Sequence, residues 1–182
     1  GRLDDAAAAY RRVLDAHPDH AQALHNLGVL LAQTGDPAAA LELFDRALIA
    51  RPDYPEASMN RAGALRALGR FDAALASYDR AIAIAPAHPE AHNGKGEALY
   101  RLGRFDEAAG CFGRAVALKP DHYRAHVNLG LALNAAGRRQ EALEEFRTTL
   151  AMRRGPLPID PGHYSFHFMS RQKLRHDVEQ FR

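Results

Sequence analysis

The chain has 182 residues, room for one ordinary domain and little more; 36 of them are alanine and none is tryptophan. Lys and Arg number 24 against 22 Asp and Glu, a net charge of +2, which argues against a nucleic-acid coat or a polybasic membrane anchor but not against a local basic patch. A single cysteine excludes an intrachain disulfide framework and a multi-cysteine zinc site, and no apolar run approaches the roughly 18 residues of a membrane span.

The chain opens on Gly1 rather than Met, so a missing leader carries little information about compartment; a cytoplasmic location is the expectation. The punctuation recurs every 34 residues: Pro18, Pro52, Pro86 and Pro120; Gly35, Gly69, Gly103 and Gly137; Ala6, Ala40, Ala74, Ala108 and Ala142. An aromatic stands four residues after each of those alanines, at Tyr10, Phe44, Tyr78, Phe112 and Phe146.

In chain order, residues 1–20 supply a helix over 3–16 and nothing to pair with it on its N-terminal side. Such a half repeat is expected to expose Leu3, Tyr10, Val13 and Leu14 and to invite a neighbouring molecule, hence a possible homo-oligomer. Full units follow over 21–54, 55–88, 89–122 and 123–154. The third shows the pattern best. Ala91, Lys95, Ala98, Leu99 and Leu102 recur at helical spacing, and Gly103 supplies the left-handed residue that ends the first helix. Phe105, Ala108, Ala109, Phe112, Ala115 and Val116 form the stripe of a second helix, closed by Lys119 and Pro120. A small residue at Gly96 and Ala108 lets the two helix axes approach closely, with Phe112 filling the space beside them.

These residues resemble the tetratricopeptide repeat family, whose pattern is W-x2-L-G-x2-Y, then A-x3-F, then P. The first full unit carries Leu24, Leu27, Gly28, Leu31, Ala40, Phe44, Ala47 and Pro52 at those offsets. The second carries Ala62, Leu65, Ala74, Tyr78, Ala81 and Pro86; the third Gly96, Leu99, Ala108, Phe112, Ala115 and Pro120. The fourth carries Leu129, Gly130, Leu133, Ala142 and Phe146, with Arg154 in place of the proline. The departures fall at the family's Trp position, occupied by Leu24, Ser58, His92 and His126. The resemblance implies an all-α, right-handed superhelical solenoid of stacked antiparallel helix pairs over 1–154, whose first helices line a concave surface. The related pentatricopeptide repeat reads RNA through a basic groove. Here the six basic and three acidic residues after Leu150 leave 18 basic against 19 acidic in the array, too little positive charge to neutralise phosphates.

The lining positions implied by the resemblance are Gln22, His25, Asn26, Val29 and Gln33; Glu56, Met59, Asn60, Gly63 and Arg66; Glu90, Asn93, Glu97, Tyr100 and Arg101; and Arg124, Val127, Asn128, Leu131 and Asn134. The set is polar and mixed in sign, which suits an extended peptide. Asn26, Asn60 and Asn128 fall at one repeat position, broken only by Gly94, and an amide donates to and accepts from a peptide backbone at once. That row is similar to the asparagine ladder in the repeat domain of O-linked N-acetylglucosamine transferases. The predicted peptide-binding set is therefore Asn26, Asn60 and Asn128 with His25, Arg66, Asn93, Glu97, Tyr100, Arg101 and Asn134. The Lys–Asn–Arg carboxylate clamp of chaperone-tail receptors is not reproduced: its Lys/Asn pair would be His25 and Val29, or Met59 and Gly63.

No motif speaks for catalysis, a cofactor or a metal. His88 with His92, His122 with His126, and His163 with His167 are spaced i, i+4, but the first of each repeat pair sits in a turn, the second at a packing position, and no third ligand is fixed. Cys111 beside Phe112 reads as packing, and Gly94-Lys95-Gly96 lacks phosphate-loop spacing.

After Arg153 and Arg154, the glycines and prolines of 155–162 form a loop, Tyr164, Phe166 and Phe168 alternate as in an extended segment, and a helix is expected from about Ser170, with Leu174, Val178 and Phe181 on one stripe. Residues 155–182 read as a cap on the last repeat or a linker; the segment Lys173 to Phe181 resembles those preceding oxygenase domains in bacterial repeat proteins. The sequence thus points to a non-catalytic protein–protein interaction scaffold that binds a peptide or partner protein, with no nucleic acid, membrane or cofactor. The alternatives are the substrate-recognition region of a larger glycosyltransferase or 2-oxoglutarate oxygenase, and a self-association module.

Overall fold

The structure is a computed structural model that describes residues 2–152, with side chains from Asp4 onward. The loop and helix expected over 155–182 lie outside the described residues. Within them there are nine α-helices and no strand: α1 Arg2–Ala16, α2 Ala21–Gln33, α3 Pro37–Ala50, α4 Pro55–Ala67, α5 Phe71–Ile84, α6 Pro89–Arg101, α7 Phe105–Leu118, α8 Tyr123–Ala135 and α9 Arg139–Met152. They belong to two compact units, Gly1–Pro86 with α1 to α5 and Ala87–Arg182 with α6 to α9.

In the first unit α2 packs on α3 and α4 on α5, while α3 also packs on α4 and α1 on α2. In the second, α6 packs on α7, α7 on α8, and α8 on α9. The turn within each pair has one chemistry. Gly35, Gly69, Gly103 and Gly137 all have positive φ, between 73° and 92°, where a Cβ would be strained. The residue after each glycine donates its N–H five residues back, as in Asp36 to Leu31 and Arg104 to Leu99, so the carbonyls at the helix end are satisfied. Second helices begin differently: Asp36 caps α3 by accepting the Ala39 N–H at 3.0 Å, whereas Arg104 and Arg138 pair with Glu107 and Glu141 in the first turn of α7 and α9.

The core explains the excess of alanine. Phe44, Phe112 and Phe146 are fully buried, and each ring lies against a glycine of the preceding helix. A Cβ on Gly28 or Gly96 would come within 2.7 Å of the facing ring. At the fourth instance of this repeat position, fully buried Ala62 shares a cluster with Tyr78. Side chains also tie consecutive pairs together. Arg46 donates to the Pro18 carbonyl and Arg80 to the Pro52 carbonyl, both at 2.8 Å and both 28 residues back.

The helix expected to stand open is partly covered. Leu14 is half-buried and packs on the cluster around Leu24, Tyr10 is also half-buried, and Val13 is exposed at 38%; the Leu3 side chain lies outside the described set.

Candidate peptide-binding faces

In the first unit the lining positions meet around His25. This residue of α2 is buried between Phe44 and Tyr54, with ring centroids 5.8 and 4.8 Å away, and the Arg51 guanidinium lies 3.5 Å over the far ring. Its Nε2 is 2.8 Å from Asn60 Nδ2 on α4, and its Nδ1 is 3.3 Å from Asn26 Oδ1. Both contacts are satisfied by one neutral form, in which Nδ1–H donates to Asn26 and Nε2 accepts from Asn60. Burial lowers the pKa of the ring below its ordinary value, and the Arg51 charge adds to that; the Asn26 hydrogen bond and Glu56 pull the other way. Gln22, one turn before Asn26, donates to the same Oδ1 at 3.0 Å.

In the second unit the corresponding positions carry charge. Asn128 Nδ2 on α8 donates to Asn93 Oδ1 at 3.1 Å and to Glu97 Oε1 at 3.3 Å; Asn93 Nδ2 donates to that Oε1 at 2.9 Å. Arg124 approaches the same oxygen at 3.3 Å. Glu97 is 2% exposed, so this is a buried carboxylate held by three donors. The latch is the same in the two units: Asn60 and Asn128 each reach a side chain 35 residues earlier, one on the preceding first helix.

The predicted set therefore divides. His25, Asn26 and Asn60 come together on one face, and Asn93, Glu97 and Asn128 on another, where the carboxylate and both amides are buried rather than displayed. Tyr100 is half-buried and meets Phe105 edge to face at 5.1 Å. Arg101 and Asn134 are exposed near the ends of α6 and α8, and Arg66 is half-buried on α4. Two lining residues left out of the predicted set, Gln22 and Arg124, belong to the networks. Their spacing of four from Asn26 and Asn128 is the signal that marks them.

Three other histidines have local structural partners. His20 and His122 accept the N–H of Ala23 and Ala125 as helix caps, and burial lowers the pKa of His122. His126, buried at the family's Trp position, bonds the Pro120 carbonyl at 2.9 Å and Glu145 at 2.7 Å. His163 and His167 lie outside the described residues. Among those described, no group of three His, Cys, Asp or Glu side chains is placed to hold a metal, and no helix is long and apolar enough to cross a membrane.

The family profile described as tetratricopeptide repeat matches residues 1–55, 35–89, 59–112 and 93–157. A crystal structure of MamA is 28% identical over 82% of this chain and 88% of that one, with a TM-score of 0.78. MamA from Desulfovibrio magneticus RS-1, residues 41 to the end, is 24% identical over 84% and 86%, also at 0.78. YrrB, described as a TPR protein with an unusual peptide-binding site, is 22% identical over 98% and 84%, at 0.75. No curated protein matches the chain. These likenesses establish the fold class as an all-α solenoid of helix pairs.

Proposed function

The chain belongs to the tetratricopeptide repeat family, a protein–protein interaction scaffold, and from that premise we propose that its α2–α4 face binds an extended peptide segment of a partner protein. One observation carries this reading. His25 occupies one end of each amide and leaves the other to a ligand: Asn26 accepts through Oδ1 and keeps Nδ2, whereas Asn60 donates through Nδ2 and keeps Oδ1. A donor and an acceptor on neighbouring first helices suit the alternating N–H and C=O of an extended backbone. Both asparagines are half-buried, so their free ends can lose water to a ligand at limited cost.

In this reading the buried Asn93–Glu97–Asn128 network holds the second unit together, and Tyr100, Arg101 and Asn134 provide contacts at its rim. The scaffold carries no chemistry of its own, in keeping with the generally non-catalytic role of the fold. YrrB, described as a TPR protein with an unusual peptide-binding site, offers a parallel for the class of ligand.

The test is a peptide array of random 12-mers probed with wild type and with the Asn26→Ala, Asn60→Ala double variant. Most wild-type spots are expected to weaken about tenfold or more, the loss of two hydrogen bonds at a desolvated site. Spots that persist undiminished would sink the reading.

A further inference from the structure

The repeat contains its own control for a second site. One unit of the pattern apart, Leu24, Leu27 and Leu43 stand where Ser58, Arg61 and Ser77 stand in the next repeat. At the first location the leucines close the space: Leu24 is fully buried, with Leu14 and Leu43 packed on its cluster. At the second, a cleft of about 600 Å³ opens between α3, α4 and α5. Ser58 lines it, is itself fully buried, and has an Oγ with no protein partner. Replacing a leucine by a serine in a packed slot removes volume and adds an unsatisfied hydroxyl, two changes that work against stability. Neither helps the fold, so the slot is read as serving a ligand.

The rim is chemically specific. Arg61 donates through Nε to Asp45 and through Nη1 to Ser77 at 2.6 Å, and Arg80 through Nη2 to the Pro52 carbonyl. These bonds orient both guanidinium groups and leave Nη2 of Arg61 and Nε and Nη1 of Arg80 as donors. With two positive charges against Asp45, the rim favours a carboxylate. Beside it Ile49 stands 80% exposed, the most exposed large apolar side chain described, and Leu48 continues the wall into the cleft. A bare anion would use the arginines and leave Ile49 in water. A peptide with an aliphatic residue next to an acidic one would use both.

We propose that this cleft is a docking site, separate from the α2–α4 face, for an acidic peptide segment of a partner protein: a Glu or Asp carboxylate on Arg61 and Arg80, and a neighbouring aliphatic side chain against Ile49 and Leu48. The experiment is a backbone and arginine side-chain NMR titration of the full chain with acetyl-Leu-Glu-Leu-amide, its Gln analogue and free glutarate. The Glu peptide is expected to shift Ser58, Ser77 and the Nε signals of Arg61 and Arg80, with the Gln peptide about tenfold weaker for want of the charge. Ile49→Ser, at an exposed position that leaves the fold alone, should weaken the Glu peptide about fivefold through lost apolar contact. Ser58→Leu with Arg61→Leu installs the residues of the preceding repeat and should abolish the response. No response to the Glu peptide, equal response to the Gln peptide, or an unchanged response in the double leucine variant would overturn the site. Glutarate binding as tightly as the peptide would overturn the peptide assignment.

Discussion

The first-helix faces of the two units start from one register and end in different chemistry. In each, an asparagine reaches back 35 residues to latch the preceding first helix. In the first unit the partner is a neutral ring, His25, and each amide keeps one end for other use. In the second the partner is Asn93, backed by the Glu97 carboxylate, and the charge draws Asn93, Asn128 and Arg124 inward. The comparison sets cohesion beside the proposed recognition: the same latch ties both units together, with its amides half-buried in the first and buried in the second.

Glu97 is where that contrast is largest. Glu97→Ala leaves the buried Asn93 amide without an acceptor and Asn128 with Asn93 Oδ1 alone, while Arg124, with 42% of its side chain exposed, turns to water. The unfolding free energy of the second unit should fall by about 2–3 kcal/mol, measured by urea denaturation with hydrogen exchange reporting on α6 and α8. Glu97→Gln keeps an acceptor and should recover much of the loss. An Ala variant within about 0.5 kcal/mol of wild type would mean that the charge is not what organises this face.

The latch itself provides the next contrast. Asn128→Ala leaves Asn93 Oδ1 and Glu97 short of a donor in a buried site, and should destabilise by about 2 kcal/mol. Asn60→Ala leaves one ring nitrogen of His25 unpaired beside the half-buried Asn60 position, and should destabilise by about 1 kcal/mol. For peptide binding the proposed function predicts the reverse order, with a loss in Asn60→Ala and none in Asn128→Ala. Equal destabilisation by the two substitutions, or a binding loss in Asn128→Ala, would erase the distinction between the units.

Much of this was legible in the sequence because repetition averages out local accident. The 34-residue spacing marks every helix pair, and the position of Gly103 in it predicts a left-handed terminator, which its φ of 75° matches. The register of the first-helix positions was legible for the same reason, since the pattern repeats at fixed offsets. Their burial was not. Glu97 and Asn128 look like groove residues by register, and only the distances show a carboxylate with three donors closing over them. The cleft beside Ile49 was hidden too. Ser58 stands out in the sequence only as a departure at the family's Trp position, and the space it leaves depends on Arg61 and Ser77 being polar at the same time, a coincidence across two helices that no single-position pattern displays.

The smallest expected effect tests the neutral ring at the centre of the first unit. His25 has a pKa lowered from its ordinary 6.5, chiefly by burial, so below that pH the unfolded chain binds a proton more readily than the native one. Its contribution to stability is complete above pH 6.5 and is lost as the pH falls through the lowered value. Protonation also places an N–H on Nε2 opposite the Asn60 amide, a donor facing a donor, so the latch fails with the charge. The groups around the ring set the balance: Arg51 resists the proton, and Glu56 and Asn26 favour it. His122 in the second unit has a pKa lowered by the same cause, so the whole chain should soften on acidification. The units are told apart by following urea midpoints from about pH 7 to about pH 5 with probes on α2 and α6, across the range where histidine titrates. His25→Gln should flatten the dependence at α2 and leave that at α6 intact. A wild-type midpoint at α2 that does not move with pH, or a His25→Gln variant with the full wild-type slope, would show that the first face is not built on a neutral histidine.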